Sequence, residues 1–155
     1  MEQLKLENQI CFPFYAISRL ITRAYQPFLD DLGITYPQYL VLMVLWEEDM
    51  VTVNGIANKL ILNTNTITPL LKRMEKQGLI IRNRSNEDER KVLIKLTQKG
   101  SEMKLLAASI PESLLSSLKI ENYDEQQFED FRVTLKLLIS FLKQSDENRE
   151  KTVED

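Results

Sequence analysis

The apolar residues between positions 67 and 74 recur with the period of an α-helix. They follow the spacing i, i+3, i+4, i+7: Ile67, Leu70, Leu71 and Met74. This spacing predicts an amphipathic helix, with the run 63–66 (NTNT) as its polar cap and Gly78 as its end. The opposite face is polar or basic apart from one proline: Asn65, Thr66, Thr68, Pro69, Lys72, Arg73 and Lys76.

After Gly78 the pattern becomes strand-like. Residues 80–84 and 91–96 are β-prone runs joined by a charged loop, which predicts a hairpin. A helix followed at once by such a hairpin is typical of the winged helix-turn-helix, in which the polar helix face fits the major groove of DNA. Arg84 and Arg90 could then reach phosphates or an adjacent minor groove. A solvated amphipathic helix beside an ordinary hairpin would give the same pattern.

Three further helices are predicted upstream. The first covers residues 13–31, with Pro27 expected to bend it, and its apolar stripe comprises Phe14, Ile17, Ile21, Tyr25 and Phe28. The second is capped by Thr35 and has a body, residues 39–46, that is apolar nearly all round. Thr52 caps the third, whose inward-facing residues are Val53, Ile56, Ala57 and Leu60.

Downstream of the hairpin, Thr97 is expected to cap a long helix bent near Pro111. Asp124 and Gln127 have the spacing of a capping box at a final helix. That helix carries an a/d seam: Phe128, Phe131, Leu135, Leu138 and Leu142. A seam this short is compatible with packing inside the chain or between two chains.

These elements predict a mainly α fold with a small β-hairpin wing. A chain of 155 residues has the length of a single domain, residues 1–155, with a core of its own. Residues 1–10 and the charged tail after Lys143 are expected to be loosely ordered.

The distribution of charge is more informative than the net charge of −3. Residues 72–95 contain eight basic and four acidic side chains, a net charge of +4, which leaves −7 on the rest of the chain. A basic patch on an acidic body is compatible with an edge that faces DNA.

Composition excludes several other classes of protein. The chain has no histidine, which excludes Ser-His-Asp and Cys-His catalysis, and with a single cysteine it offers neither a zinc site nor an internal disulfide. It lacks glycine-rich nucleotide-binding motifs, an apolar run long enough for a membrane and a signal peptide. We therefore expect a cytoplasmic protein that is not an enzyme and binds no cofactor, metal or membrane.

Cys11 is placed by the pattern at the start of the first helix. Unpaired backbone N–H groups and the helix dipole at such a position favour the reactive thiolate. A lone cysteine is more often an inert small hydrophobe, so both interpretations stay open on this observation.

Four stretches resemble the MarR family of bacterial transcriptional repressors. TPLLKRMEKQGLI (68–80) and RSNEDERKVLIKLT (84–97) are similar to its recognition helix and wing, with Asp88 and Arg90 as its DxR signature. ITYPQYLVLMVLWE (34–47) and CFPFYAISR (11–19) resemble the organic-peroxide-sensing OhrR branch and its staphylococcal-type relatives.

The resemblance implies a homodimer that binds double-stranded operator DNA with an inverted repeat. Residues 35–96 would form the DNA-binding lobe, and residues 6–31 with 97–143 would form the dimerisation helices. The implied DNA contacts are Thr64, Asn65, Thr66, Thr68, Pro69, Lys72, Arg73, Arg84, Asp88, Arg90 and Lys91. Asn63, Asn65 and Ile67 stand where relatives more often carry Asp, Gly and Leu, so the preferred operator is expected to differ.

The resemblance also makes Cys11 the sensing cysteine, hydrogen-bonded by Tyr25 and Tyr36, with Tyr15 near the same place. Cys11 and Tyr25 are fourteen residues apart on one helix, which at ~1.5 Å per residue separates them by about 21 Å. If they meet, they must therefore meet across a dimer whose first helices run antiparallel.

An organic hydroperoxide would oxidise Cys11 to the sulfenic acid. Without a second cysteine in the chain, that product must persist, over-oxidise or form a mixed disulfide, for example with a low-molecular-weight thiol. Pro13 is close enough to alter the helix start on which this reactivity depends.

Three other functions remain compatible with the sequence. One is a MarR-type regulator released by a small aromatic ligand, with Cys11 structural. A one-cysteine peroxidase is another, and a protein-interaction module is the third.

Overall fold

The computed structural model of the chain describes residues 1–84, 88, 91–117 and 124–153. It forms two compact units, Met1–Ser117 and Leu118–Asp155. The described elements of the first unit are α1 (Cys11–Asp31), α2 (Tyr36–Glu47), β1 (Val51–Thr52), α3 (Val53–Leu60), α4 (Thr64–Lys76), β2 (Ile80–Arg84), β3 (Val92–Leu96), α5 (Gln98–Ala107) and α6 (Ile110–Ser117). The second unit contains α7 (Glu125–Val153). Two 3-10 turns, Glu2–Leu4 and Leu6–Asn8, precede α1, where the sequence predicted no element.

The helix-turn-helix formed by α3 and α4 confirms its sequence pattern. Thr52 Oγ1 accepts the Gly55 N–H at 3.0 Å, and Asn63 Oδ1 accepts the Thr66 N–H at 2.9 Å, so each helix has its predicted cap. The predicted apolar face of α4 is entirely buried: Ile67, Leu70, Leu71 and Met74. Gly78, at a φ of +69°, follows the end of α4.

The predicted hairpin is present as β2 and β3, which pair antiparallel with Ile80 opposite Leu96. Lys91 precedes β3, so the second strand begins one residue later than predicted. A third strand, β1, was not predicted, and it pairs with β3 through Val51 and Ile94. Two residues are too few to show an alternating pattern.

Helix α2 supplies much of the core, as its apolar sequence predicted. Thr35 is its N-cap, and Pro37 is its second residue, where the missing N–H breaks no helical hydrogen bond. The buried residues of α2 are Gln38, Tyr39, Val41, Leu42, Val44 and Leu45. Because this helix is buried on several sides, it contacts four other helices: α1, α3, α4 and α5.

The prediction of one long bent helix after Thr97 is wrong, because the chain forms two helices there. Thr97 does cap α5, accepting the Gly100 N–H at 3.0 Å. However, Pro111 has no N–H to donate to the carbonyl of Ala107, four residues earlier, and its ring crowds that carbonyl. Accordingly, α5 ends at Ala107 and α6 begins at Ile110.

The second unit begins its helix α7 with the predicted capping box. The Gln127 N–H donates to Asp124 Oδ1 at 2.7 Å, and the Asp124 N–H donates to Gln127 Oε1 at 3.1 Å. Fraying was predicted after Lys143, but residues 144–153 continue α7 to Val153 through a segment without glycine or proline. Residues 154–155 of the predicted tail lie outside the described residues. None of the helices in the described part of the chain combines the length and the hydropathy of a membrane-spanning segment.

Candidate functional site

Cys11 is the first residue of α1, and its side chain is exposed. Pro13 does not delay the helix start, because the third residue of a helix needs no hydrogen-bonded N–H. Two of the donors expected near the sulfur are nevertheless missing: Pro13 has no N–H, and the Phe12 N–H donates to the Gln9 carbonyl at 3.1 Å. The helix start thus offers fewer free donors than the sequence suggested, so stabilising a thiolate there requires hydroxyl groups from elsewhere.

Tyr25 and Tyr36 form the centre of an aromatic row inside the first unit. Their ring centroids are 4.9 Å apart, although Tyr25 belongs to α1 and Tyr36 is the first residue of α2. Tyr39 lies 5.8 Å from Tyr25 and 6.1 Å from Trp46. The Trp46 Nε1–H donates to the Gly100 carbonyl at 2.9 Å, which ties the end of the row to α5.

Burial raises the pKa of the Tyr25 phenol above its ordinary value. Burial also raises the pKa of Tyr36, and the nearby Tyr25 is a second cause of that increase. Both hydroxyls therefore stay protonated at neutral pH. A protonated phenol can donate a hydrogen bond to a thiolate, and two such donors in contact make a suitable anion-stabilising pair.

The structure brings Tyr25 and Tyr36 together, but it leaves Cys11 at the other end of the helix that carries Tyr25. Tyr15 lies four residues after Cys11 on the same helix face, is 62% exposed and has its ring 6.4 Å from that of Phe12. The N-terminal part of α1 also exposes large apolar side chains: Phe14, Ile17 and Leu20. An apolar surface of this kind around Cys11 is typical of an interface.

The face of α4 opposite the core presents the side chains that the sequence predicted. Those that are exposed are Thr64, Asn65, Thr66, Pro69, Lys72 and Arg73, and Thr68 is half-buried. The Thr66 hydroxyl donates to Asn63 Oδ1 at 2.8 Å, so this hydroxyl proton serves the helix cap. Pro69 lacks the N–H that would bond the Asn65 carbonyl, which leaves an acceptor on the exposed face.

The wing is described only in part, and Arg90 lies outside the described residues. Arg84 is exposed at the end of β2, opposite Val92 of β3. Asp88 lies 3.6 Å from Lys91, measured between Oδ2 and Nζ. The carboxylate of Asp88 therefore has a basic partner within the wing.

Arg82 is a candidate residue that the sequence analysis left out of the site. Its Nη1 is 3.6 Å from Glu75 Oε2 on α4, and its buried Nε has no hydrogen-bond partner among the described residues. An open cleft of about 400 Å³ beside it is lined in part by Thr68 of α4 and Lys91 of the wing. Arg82 and the buried Ile80 are two residues apart on β2, so their side chains point to the same face of the sheet. This alternation in the sequence could have predicted that Arg82 faces inward.

Residues 23–105 match the family model described as transcriptional regulator SarA/Rot. The chain is 50% identical, over 134 residues, to the organic hydroperoxide resistance transcriptional regulator of Bacillus subtilis, a match that covers 86% of this chain and 91% of the relative.

Among solved structures, the chain is similar to reduced AbfR bound to DNA, with 41% sequence identity and a TM-score of 0.68. The match covers 90% of this chain and 98% of the AbfR chain. AbfR is a protein of Staphylococcus epidermidis. The structure of overoxidized AbfR bound to DNA matches with 42% identity and a TM-score of 0.67, over 88% of this chain and 97% of the AbfR chain. Wild-type MarR from E. coli shares the fold at 21% identity, with a TM-score of 0.68 and coverage of 84% and 96%.

Proposed function

The chain belongs to the MarR family of transcriptional regulators, and we propose that it is a dimeric repressor released from operator DNA by oxidation of Cys11. The proposal draws its redox part from similarity to an organic hydroperoxide resistance regulator. The observation that carries it is the contact between Tyr25 and Tyr36, 4.9 Å between ring centroids. These two protonated phenols can donate hydrogen bonds to a thiolate. The start of α1 offers few donors of its own.

DNA binding is assigned to α4 and the wing. Exposed Asn65, Lys72 and Arg73 lie on the face of α4 away from the core, which suits insertion into the major groove. Arg84, at the end of β2, is placed to approach a phosphate. A two-fold dimer presents two such lobes, so its operator is an inverted repeat with half-sites about one helical turn, ~34 Å, apart.

Dimerisation is assigned to α1 and to the helices after the wing. Phe14 and Ile17 are each 45% exposed on α1, and Phe128 and Leu142 are exposed on the seam of α7. Burying these side chains against a second chain would remove apolar surface from water. Residues 35–96 then serve as the DNA-binding lobe of a protein that works in the cytoplasm.

The redox step begins with attack of the Cys11 thiolate on one oxygen of an organic hydroperoxide. The S–O bond forms as the O–O bond breaks, and the leaving alkoxide takes a proton to become an alcohol. Cys11 is thereby oxidised to sulfenic acid while the peroxide is reduced. A low-molecular-weight thiol can then displace water from this product and give a mixed disulfide.

The reversible products of Cys11 are proposed as the released states. Sulfenic acid and mixed disulfide can both be reduced back to the thiol, whereas sulfonic acid cannot. In AbfR the overoxidized form is found bound to DNA. We therefore do not assign release to over-oxidation of Cys11.

The experiment that tests this function is a DNA-binding titration with the region upstream of the protein's own gene, with and without an organic hydroperoxide. Wild-type protein should bind when reduced and dissociate after treatment. Cys11→Ser should bind with similar affinity and remain bound after treatment. Release of the serine variant by peroxide would contradict the assignment of Cys11.

A second candidate function is release by a small aromatic carboxylate. The cleft beside Arg82 favours it, since the Arg82 Nε, which has no partner in the described part of the chain, could donate to an anion near Thr68 and Lys91. Benzoate at millimolar concentration would release Cys11→Ser from DNA under this second function, whereas the thiol mechanism predicts no effect.

A further inference from the structure

Gln38 is a buried polar side chain in the otherwise apolar body of α2, with 4% of its surface exposed. Its Oε1 accepts the Thr35 N–H at 2.9 Å, and its Nε2 donates to Gln77 Oε1 at 2.6 Å. A backbone N–H can only donate, so the first bond fixes the orientation of the Gln38 amide. Gln77 must therefore act as the acceptor in the second bond.

This bond joins the two regions to which the proposed function assigns sensing and DNA reading. At one end, Gln38 is in the first turn of α2, two residues after Tyr36, whose ring contacts Tyr25. At the other end, Gln77 is the C-cap of α4, with its N–H bonded to the Arg73 carbonyl at 3.0 Å. A partly buried hydrogen bond thus connects the start of α2, beside the tyrosine pair, to the end of the recognition helix.

We propose that Gln38 and Gln77 are a positioning pair that carries displacement of Tyr36 to α4, an inference that rests on the proposed function. Leu70 and Leu71 of α4 belong to the same buried apolar cluster as Leu42 and Leu45 of α2, and apolar contacts of this kind have no directional preference. A hydrogen bond of 2.6 Å is directional and weakens steeply as the geometry changes. A shift of α2 therefore either pulls α4 with it or breaks this bond.

Substitutions at Gln77 separate this role from simple packing, because Gln77 is exposed and is not a member of the buried core cluster. Gln77→Glu keeps an oxygen that accepts from Gln38, whereas Gln77→Met removes it at similar length. Lys99→Met provides the matched control, since Lys99 Nζ donates to the Gln77 carbonyl at 3.0 Å from α5. That variant removes a bond to the same residue without touching α2.

Three quantities should be measured for each variant: the rate of Cys11 oxidation by an organic hydroperoxide, the operator Kd when reduced, and the operator Kd when oxidised. Gln77→Met should reduce the ratio of oxidised to reduced Kd by about tenfold, a size typical of coupling changes. Its Cys11 oxidation rate should stay within about twofold of wild type. Gln77→Glu and Lys99→Met should both keep the wild-type ratio.

Two results would overturn the inference while leaving the proposed function intact. One is a Gln77→Met variant that binds reduced DNA more weakly but keeps the wild-type ratio of Kd values, which would make the pair purely structural. The other is an equal loss of the ratio in Lys99→Met, which would assign the coupling to the α5 contact. Failure of wild-type protein itself to leave the DNA on oxidation would instead overturn the proposed function.

Discussion

Tyr25 and Tyr36 lie on different helices with ring centroids 4.9 Å apart and planes inclined by 43°. Tyr25 comes from the middle of α1, and Tyr36 opens α2. The contact places two hydroxyl-bearing rings side by side in a half-buried position. Any movement of α1 relative to α2 would therefore change the position of both donors at once.

Alkaline pH should destabilise the protein partly through these two phenols. Burial raises the pKa of Tyr25 and Tyr36 in the folded state above the ordinary value of about 10. The folded state then holds protons that the unfolded state releases above pH ~10, so the free energy of unfolding falls as pH rises beyond that value. Urea denaturation at pH 8 and pH 11 should show a smaller loss for the double variant Tyr25→Phe, Tyr36→Phe than for wild type.

Tyr15→Phe is the control for removal of a tyrosine hydroxyl on α1, because the ring of Tyr15 is 62% exposed. An identical alkaline loss in wild type and in the double variant would show that burial of the two rings is not linked to their protonation.

Much of the fold could be predicted because local signals and tertiary packing agree. Thr52, Asn63 and Thr97 cap their helices as their sequence contexts predicted. Strand β1 could not be predicted, because its two residues acquire their conformation from pairing with β3. The break before Ile110 had a visible cause in Pro111, but sequence alone does not decide between a bend and a break.

The candidate site was less accessible to sequence reasoning. The distance from Cys11 to Tyr25 follows from helix geometry, whereas the contact between Tyr25 and Tyr36 depends on how two helices pack. Gln38 was overlooked inside an apolar run, although its spacing from Thr35 matches a capping box. Its bond to Gln77 spans 39 residues, and no local pattern encodes such a contact.

Gly100→Ala should destabilise the protein through a steric clash. A Cβ at this buried position would lie 2.1 Å from the Leu79 carbonyl oxygen, and backbone cannot move aside cheaply. We expect a loss of about 3 kcal/mol or more in the free energy of unfolding, the upper end of what overpacking costs. Gly33→Ala is the matched control: its Cβ meets no atom within 4 Å at a φ of +66°, so it should lose only about 1 kcal/mol. Equal losses in the two variants would contradict the steric account.

Ile61→Gly should stabilise the protein. Ile61 has a φ of +56° at the C-cap of α3, a conformation that is unfavourable for a β-branched residue. Its side chain is 61% exposed, so little apolar burial is lost. Glycine relieves the backbone strain, which stabilises the folded state. It also makes the unfolded chain more flexible, which offsets part of that gain. The free energy of unfolding should therefore rise by about 0.5–1 kcal/mol.

The midpoint of urea denaturation should rise for Ile61→Gly with an unchanged slope. Ile61→Ala keeps the left-handed backbone and should bring no such gain. A fall in the midpoint for Ile61→Gly would mean that the isoleucine side chain makes contacts that outweigh its strain.

Lys72→Ala should weaken DNA binding and reduce its dependence on salt. Lys72 is exposed on the face of α4 assigned to DNA, and a lysine that contacts one phosphate contributes about one unit to the slope of log K against log salt. Lys5→Ala removes the same charge from the N-terminal turns, where Lys5 pairs with Glu2 at 2.7 Å, and should leave the slope unchanged. Equal slopes for wild type and Lys72→Ala would place this lysine off the DNA backbone.

The distribution of sensor residues between subunits gives the strictest test of the redox mechanism. Cys11 and Tyr25 lie on one uninterrupted helix, with their backbones about 21 Å apart at ~1.5 Å per residue. A tyrosine hydroxyl cannot span that distance within its own subunit. We therefore expect the oxidation rate of each Cys11 to depend on the tyrosines of the partner subunit.

A mixed dimer separates the two arrangements. One subunit carries Cys11→Ser, and the other carries Tyr25→Phe and Tyr36→Phe, so the remaining Cys11 belongs to the subunit without these hydroxyls but faces intact tyrosines across the interface. Its thiol should be lost to organic hydroperoxide at close to the wild-type rate, and a dimer of Cys11→Ser with an unchanged subunit provides the reference. Oxidation as slow as in the Tyr→Phe homodimer would place the tyrosines' effect within one subunit. Such a result would also remove the reason for antiparallel first helices at the interface.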